Sequence, residues 1–278
     1  MASDSAARLR KRQRAWASGV GLAVDRYGYL PDVEANLFQP LVGPARSAFE
    51  KGKGSELRDQ DDRPAKMRAL HSSSALAVNF FDYWDGKDAS PLSEALALEE
   101  RIEEIEFESP FPTKLGTIPP HLDVTLQLAS GVKIAIESKF SEWMREKSSR
   151  APFGDKYFQP KKTRWSDQLL PKSQSLVSEI RDGTEHFKYL DAPQLLKHSL
   201  GLATQLHRRF ALHYYYFDWP GEESKEHTDE IERFTSRVDP ELGFVALSYQ
   251  TLFARLCSRC SDADQEYVGY MDERYFAG

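Results

Sequence analysis

The sequence predicts a mixed α/β fold in which helices pack on a central sheet. The prediction rests on three observations. A hairpin of alternating apolar and polar residues lies at about 121–140, two more strand-like segments lie at 210–217 and 243–248, and helical segments surround them. The resulting order is helices, three strands, helices, strand, helix, strand and helices, which is typical of one layered domain.

The composition is that of an ordinary folded protein. The chain has 278 residues, of which 40% are hydrophobic and 29% charged, and this excludes collagen, coiled coils and general disorder. No apolar run approaches the roughly 18 residues of a membrane span, and no secretory signal core follows the basic N-terminus. Cys257 and Cys260 lack a second pair for zinc and indicate free thiols. We therefore expect a cytoplasmic protein without a membrane segment.

The net charge of -6 is unevenly distributed, because residues 1–14 and 145–164 are basic and the remainder is acidic. The second segment interleaves its basic residues with aromatic residues. It is either a loop that contacts DNA through phosphates and stacked bases, or a solvated insertion whose aromatic residues dock on the protein. Its candidate nucleic-acid-binding residues are Lys147, Arg150, Lys156, Lys161, Lys162 and Arg164.

Apolar spacing and turn signals define the predicted helices. They cover about 66–84, 92–105, 166–182, 191–208, 249–258 and 262–274. Ser90 and Asp191 are expected to be N-caps, and a short strand at 104–108 leads into a proline-rich loop. We expect residues 1–60 to form a disordered basic tail and short helices packed on the core, and residues 61–278 to form the main domain.

The clearest local pattern is the hairpin. A three-residue loop that ends in Gly131 is a common hairpin connection, and it pairs Leu128 with Val132. One face is then apolar apart from its last pair, with Leu126 opposite Ile134, Val124 opposite Ile136 and Leu122 opposite Ser138. A slip of one residue would bury the polar face, so the register is strongly specified.

The other face of the hairpin places Asp123 opposite Glu137, with Lys139 one pleat along. Facing like charges destabilise a sheet unless a cation lies between them. Lys139 supplies one charge, and Mg²⁺ would supply more because hard cations bind carboxylates and substrate phosphate. Two interpretations carry equal weight at this point: a metal site, or a solvated polar face that tolerates the acidic pair.

Asp123, thirteen residues and then Glu137-Ser138-Lys139 on a hairpin resemble the core motif of the PD-(D/E)XK nuclease superfamily. Leu122 stands where that motif often has proline, at a position that varies. Further segments are similar to a bacterial family of restriction-endonuclease-like proteins, namely 73–81, 107–108, 137–142, 194–198 and 248–253. The resemblance implies a restriction-endonuclease-like core, a central mixed β-sheet flanked by helices.

The resemblance also implies roles for the residues of the motif. Asp123 and Glu137 would ligate Mg²⁺ or Mn²⁺ together with the backbone carbonyl of Ser138. Lys139 would orient or help to deprotonate the attacking water and would stabilise charge on the phosphate.

Other polar residues lie near the motif in the predicted fold. Glu108 is either a further acidic member of the site or an ordinary carboxylate at a strand end. Gln194 is expected to cap its helix, with a contact to the site as the alternative. Glu142 is expected to cap or solvate the next turn, with a contact to the metal as the alternative. His198 and His121 are expected to be packed or solvated, although His198 is four residues from Gln194 on the same helix face and could also contact the site or the scissile strand.

The sequence therefore favours a metal-dependent DNA endonuclease, with a restriction or defence role implied by the resemblance. The competing hypothesis is a non-catalytic module that binds nucleic acid or protein on the same fold. A metal-dependent enzyme for another phosphorylated substrate is less favoured, since the sequence has no glycine-rich phosphate loop. A homodimer is compatible with the sequence, which does not define the oligomeric state.

Overall fold

A computed structural model of the chain describes residues 4–52, 54–61, 63–147, 152–160 and 163–277. In this part of the chain, five strands form one sheet in sequence order: β1 (Ile102–Pro110), β2 (His121–Leu128), β3 (Lys133–Lys139), β4 (Phe210–Tyr216) and β5 (Val245–Ser248). Strands β1, β2 and β3 pair antiparallel, whereas β3, β4 and β5 pair parallel. The predicted mixed sheet flanked by helices is confirmed.

Helices pack on both faces of this sheet. They are α1 (Asp4–Gly19), α2 (Gly43–Lys51), α3 (Ser73–Phe81), α4 (Ser90–Ala95), α5 (Pro171–Asp182), α6 (Ala192–Leu206), α7 (Glu222–Val238), α8 (Tyr249–Cys257) and α9 (Gln265–Met271). The crossover connections of the parallel strands β3, β4 and β5 carry α5, α6 and α7, which cover one face, while α3, α8 and α9 cover the other. Among the helices described, none has the length and apolar character to span a bilayer.

Local capping explains where several helices begin. The side chain of Asp191 accepts a hydrogen bond from the backbone N–H of Gln194, which confirms the predicted start of α6. The predicted helix at 66–84 is shorter, because Ser72 caps α3 and only a short 3-10 turn precedes it at Lys66–Arg68. The apolar stripe that suggested this helix is real, but only its second half is α-helical.

The predicted helix at 92–105 is wrong over most of its length. Helix α4 ends at Ala95, and β1 already begins at Ile102. Ala97 adopts a left-handed conformation with φ of 55°, which breaks the helix. Its N-cap is Ala89 rather than Ser90. The predicted strand at 104–108 is confirmed and is longer on both sides.

The basic N-terminal segment is a helix and not the disordered tail that we expected. Helix α1 buries Leu9 and Ala17, and the side chain of Gln13 donates a 3.0 Å hydrogen bond to the carbonyl of Arg274 near the C-terminus. Burial of these residues against the C-terminal segment supplies the stabilisation that the local sequence lacks. The division into residues 1–60 and 61–278 remains a prediction.

Two apolar layers cover the faces of the sheet. The first contains Val124 and Ile136 with side chains of α3, α8 and α9, and the second contains Ala135 and Leu212 with side chains of α5, α6 and α7. Leu122 lies in the second layer rather than beside Val124 as predicted. The predicted polar face of the hairpin is therefore covered by helices and does not face solvent.

The aromatic residues of the basic segment belong to the second layer as well. Phe153, Tyr157, Phe158 and Trp165 are buried, and the indole N–H of Trp165 donates a 2.8 Å hydrogen bond to the carbonyl of Leu196. These rings dock on the protein, so the expectation that they stack on splayed bases is wrong. The free energy of burying such large rings outweighs any benefit of leaving them exposed.

Candidate metal centre

The candidate site lies where β2 and β3 separate. The predicted register is confirmed from Gln127 opposite Lys133 to Val124 opposite Ile136, and Gly131 has the expected positive φ of 81° in the turn. The ladder then stops, so the predicted pairs beyond it, from Asp123 opposite Glu137 onward, do not form. The two strands diverge at this point because a side chain takes the place of the next backbone acceptor.

That side chain is Asp123. Its Oδ2 accepts a 2.7 Å hydrogen bond from the backbone N–H of Ser138. In an extended strand, the N–H and C=O of one residue point to the same side. The carbonyl of Ser138 is therefore directed to the same gap as the carboxylate of Asp123, and the neighbouring residue on β3 is Glu137.

Glu137 is the buried acid of the site, with 2% of its surface exposed. Lys139 donates from Nζ to its Oε1, and Nε2 of His198 lies 3.0 Å from its Oε2. The contact with His198 does not meet hydrogen-bonding geometry, so Oε2 has no hydrogen-bond donor among the described residues. The interpretation of this face as solvated is excluded for Glu137, because its side chain is buried between the sheet and α6.

The three charged residues alter one another's pKa. Burial and the charge of Glu137 raise the pKa of Asp123 well above its usual range. Burial alone would raise the pKa of Glu137, but the charges of Lys139 and His198 lower it to about 2. Burial would lower the pKa of Lys139, but the charges of Glu137 and Asp123 raise it. The site therefore holds a charged lysine and two carboxylates that repel each other.

Glu108 is part of this acidic group. The register of β1 with β2 places position 108 opposite position 123, between the pairs Phe107–Val124 and Ser109–Leu122. Burial, followed by the charges of Glu56 and Glu137, raises the pKa of Glu108 to about 7. Its φ of 50° is in the left-handed region, where a glutamate is strained. Such strain is typical of functional sites.

The donor set suits a hard divalent cation. The carboxylates of Asp123 and Glu137 and the carbonyl of Ser138 are oxygen ligands, which Mg²⁺ and Mn²⁺ prefer. Burial of Oε2 of Glu137 without a hydrogen-bond donor, together with the mutual repulsion of the acids, is the observation that favours a cation here. No three His, Cys, Asp or Glu side chains within the described ranges form a ready-made ligand cluster, so substrate or water would complete the coordination.

The remaining predicted site residues form other contacts. Gln194 is half-buried on α6 and its backbone, not its side chain, takes part in the cap. Glu142 accepts a 2.8 Å hydrogen bond from the backbone N–H of Phe140, which agrees with a capping role. His121 lies 3.0 Å from the carbonyl of Glu108 through Nδ1.

The predicted nucleic-acid-binding residues that the structure describes differ in their surroundings. Lys147 is half-buried and donates a 3.0 Å hydrogen bond to the carbonyl of Glu142, while Lys156 is exposed. Arg164 donates a 2.8 Å hydrogen bond to the carbonyl of Gln159. Three of the predicted residues lie outside the described residues, namely Arg150, Lys161 and Lys162. Their role in binding stays a prediction.

His198 is the residue whose role the sequence underestimated. We expected packing or solvation, and the side chain is indeed buried, but it packs against Glu137. A signal was present, because position 198 falls between Leu195 and Leu202 on the apolar stripe of α6. A polar residue at a buried helix position needs a polar partner, and here that partner comes from β3.

The comparison with protein families agrees with the restriction-endonuclease-like fold. A family described as restriction endonuclease associating with ARP matches residues 21–276. The chain belongs to this family. The restriction-endonuclease resemblance expected from the sequence is thereby confirmed, and it gives the chain a nuclease-related role. The match includes β2, β3 and α6 and thus every residue of the candidate centre. No curated protein and no solved structure matches the chain.

Proposed function

We propose that this chain is a Mg²⁺- or Mn²⁺-dependent endonuclease that hydrolyses phosphodiester bonds in DNA. The observation that carries the proposal is the meeting of Asp123, Glu137 and Lys139 at the gap between β2 and β3. Membership of a restriction-endonuclease family supports DNA as the substrate. The alternative phosphorylated substrates lack a comparable supporting feature.

The residues of the chain have separate tasks in this proposal. Asp123, Glu137 and the carbonyl of Ser138 would hold the cation. When bound, the cation would lower the pKa of a water molecule and neutralise charge on the phosphate. The ammonium of Lys139, which its acidic neighbours keep charged, would orient that water and stabilise the developing negative charge. His198 and Lys139 would keep the carboxylate of Glu137 in place.

The test is a cleavage assay on supercoiled, linear and single-stranded DNA and on RNA, with Mg²⁺, Mn²⁺ or EDTA. We expect cleavage of DNA that needs the metal and falls at least about 100-fold in Asp123→Ala and Lys139→Ala. Lys133→Ala is the matched control, because Lys133 is on the same strand and pairs with Glu106 away from the site. Cleavage by Asp123→Ala at the wild-type rate would refute the assignment of the site.

A homodimer follows naturally from this function and remains part of the proposal. Each chain presents one such centre, whereas a double-strand break requires hydrolysis on two strands. We expect the oligomeric state in solution, measured by sedimentation, to show two chains when DNA is bound. A monomer that nicks only one strand would exclude the dimer and leave the chemistry of the site intact.

One observation favours the second candidate, a non-catalytic binding module. Both oxygens of Glu137 already face a cationic or potentially cationic neighbour, Lys139 on one side and His198 on the other. Calorimetric titration with Mn²⁺ separates the two candidates. Binding that disappears in Glu137→Gln supports the nuclease, whereas no heat at millimolar Mn²⁺ supports the module. Glu106→Gln serves as the control for loss of a paired carboxylate.

A further inference from the structure

A polar cavity of about 590 Å³ lies next to the candidate metal centre. Helix α1, the first turn of α3 and the segment after β3 enclose it. The ionisable side chains that matter for its chemistry are Arg10, Lys66, His71, Arg145 and Lys147, together with the carboxylates of Glu56, Glu142 and Glu146. This volume exceeds that of a single water by far and admits a phosphate group with its attached sugar.

The carboxylates of the cavity are already engaged within the protein. Glu56 accepts hydrogen bonds from Ser74 at 3.0 Å and from Lys66 at 3.3 Å. Glu142 accepts the backbone N–H of Phe140. Glu146 lies 3.4 Å from Nζ of Lys188. Among the described residues, Glu56 and Glu146 are thus paired with lysines, and Glu142 is the carboxylate of the cavity without an ion pair.

The two arginines of the cavity, in contrast, lack direct partners within the part of the chain that the structure describes. Neither Arg10 nor Arg145 forms an ion pair or a side-chain hydrogen bond with another residue in the described ranges, although Glu142 attracts Arg10 at longer range. The Nε of Arg10 is buried without a hydrogen-bond acceptor. Burial and the charge of Arg145 lower the pKa of Arg10. Two guanidiniums that line one cavity, that of Arg145 on an exposed residue, supply the positive charge and the N–H donors that a phosphate group binds.

The cavity lies close to the candidate centre, because two of its lining residues act electrostatically on residues of that centre. Glu56, at its wall, is close enough to raise the pKa of Glu108, after the effect of burial. Glu142, which also lines the cavity, is close enough to contribute to the raised pKa of Lys139, after the larger effects of Glu137 and Asp123. A nucleic-acid strand that places one phosphate at the metal centre would therefore pass the cavity with a neighbouring phosphate.

We propose that Arg10 and Arg145 bind a backbone phosphate of the nucleic-acid substrate in this cavity, beside the scissile phosphate. The proposal rests on the proposed function and defines how the substrate is held. It assigns to helix α1, outside the family match that begins at residue 21, a direct role in the substrate site.

The experiment measures binding separately from cleavage. Full-length Asp123→Asn protein in EDTA is titrated with a fluorescent DNA duplex at several salt concentrations. Arg10→Gln and Arg145→Gln should each weaken binding several-fold and lower the slope of log Kd on log salt by up to about 1. The double variant should be little weaker than either single variant, because both side chains hold one phosphate. Lys11→Gln is the control, since Lys11 is exposed on the same helix outside the cavity.

The phosphate is located with duplexes in which one methylphosphonate replaces each phosphate in turn. A methylphosphonate at one internal position of the duplex should weaken its binding to the Asp123→Asn protein. The same methylphosphonate should have no effect on binding to a protein that also carries Arg10→Gln and Arg145→Gln. If the arginine substitutions weaken binding only of duplexes that carry a 5′-phosphate, the cavity binds the phosphate at a strand end, and the proposal of an internal phosphate is wrong. Unchanged affinity and salt slope in both arginine variants, with intact thermal unfolding, would overturn the site. If the arginine variants bind DNA more weakly but the wild-type protein cuts no DNA, the phosphate site in the cavity is supported and the proposed nuclease function is refuted.

Discussion

Nε2 of His198 on α6 lies 3.0 Å from Oε2 of Glu137 on β3, and both side chains are almost fully buried. The contact joins the helical layer to the acidic strand at the point where the candidate metal would bind. With Lys139 on the other oxygen, His198 restricts the carboxylate of Glu137 to one orientation. A histidine on a neighbouring helix thus positions the acid, although it is not part of the strand motif.

Replacement of His198 by Asn should weaken metal use by the site. Removal of a residue that orients a metal ligand typically costs about 10–100-fold in metal affinity or activity. We expect a corresponding rise in the Mn²⁺ concentration that gives half-maximal cleavage, with a smaller effect on DNA affinity measured in EDTA. Gln194→Ala on the same helix is the control, and it also tests Gln194 as an accessory residue. An equal loss in both variants would argue against a specific role for His198.

Replacement of Asp123 by Asn should stabilise the metal-free protein. The pKa of Asp123 is raised by burial and by the charge of Glu137, so the ionised carboxylate disfavours the fold. Loss of this charge should raise Tm in EDTA by roughly 2–4 °C, the shift that about 1 kcal/mol produces in a protein of this size.

The same variant should lose the response to metal. Wild-type protein should gain about 2.7 kcal/mol of stability when Mn²⁺ is at 100 times its Kd, and Asp123→Asn should gain almost none. Differential scanning fluorimetry with and without Mn²⁺ measures both effects. A Tm of Asp123→Asn below that of wild type in EDTA would contradict the idea that the acids repel each other.

Acidification should destabilise the protein through buried neutral histidines. Burial lowers the pKa of His213 from 6.5 to about 4, and it lowers the pKa of His227 to about 3, with a contribution from Lys147. The unfolded chain binds a proton at His213 below pH 6.5, whereas the folded chain binds it only near pH 4. Stability from this residue is therefore complete above pH 6.5 and falls as the pH decreases towards 4.

The expected size of this effect is about 2 kcal/mol between pH 7 and pH 5 for His213 alone. Urea unfolding at the two pH values measures it. His213→Gln should flatten the dependence, because glutamine does not titrate. His186→Gln, an exposed histidine, should leave the dependence unchanged. An identical pH dependence in His213→Gln and wild type would show that His213 is not neutral in the fold.

Replacement of Arg274 by Ala should destabilise the attachment of helix α1. Arg274 is fully buried, donates from Nη2 to Asn36, and its guanidinium lies 4.1 Å from the ring of Trp16. Truncation would leave a cavity and would remove the donor to Oδ1 of Asn36, at a cost of about 2–4 kcal/mol. We expect this loss in urea unfolding and faster tryptic cleavage in α1.

Arg274→Met separates packing from charge in the same place. No carboxylate in the described ranges pairs with Arg274, and its Nε and Nη1 have no hydrogen-bond partner there. The buried charge is therefore costly, and methionine keeps most of the volume. Arg274→Met should be clearly more stable than Arg274→Ala. Equal losses in the two variants would mean that the charge itself stabilises the fold.

The hairpin was predictable because its pattern is local. Alternation of apolar and polar residues and a three-residue turn ending in Gly131 defined the pairing up to Val124 opposite Ile136. The same local rule fails one residue later. The N–H of Ser138 bonds to the side-chain carboxylate of Asp123 instead of to a backbone carbonyl of β2. Secondary-structure propensity and apolar periodicity do not account for such a competition.

Other differences have the same origin. The sequence of α1 is polar enough to resemble a disordered tail, and only its contacts with the C-terminal segment make it a helix. The aromatic residues of the basic segment looked available for bases, yet the helical layer supplied a place to bury them. Burial against distant elements decided both cases.

The sequence by itself determined the mixed sheet, the register of the central hairpin and the three charged residues of the candidate centre, because strand periodicity and turn chemistry act between near neighbours. Only the tertiary structure decided that this polar face is enclosed, that His198 positions Glu137 and that Arg10 and Arg145 share one cavity. Those relationships depend on the distance between elements far apart in the chain. Electrostatic and burial energies depend on distances in space, and the separation of two residues along the sequence does not give these distances.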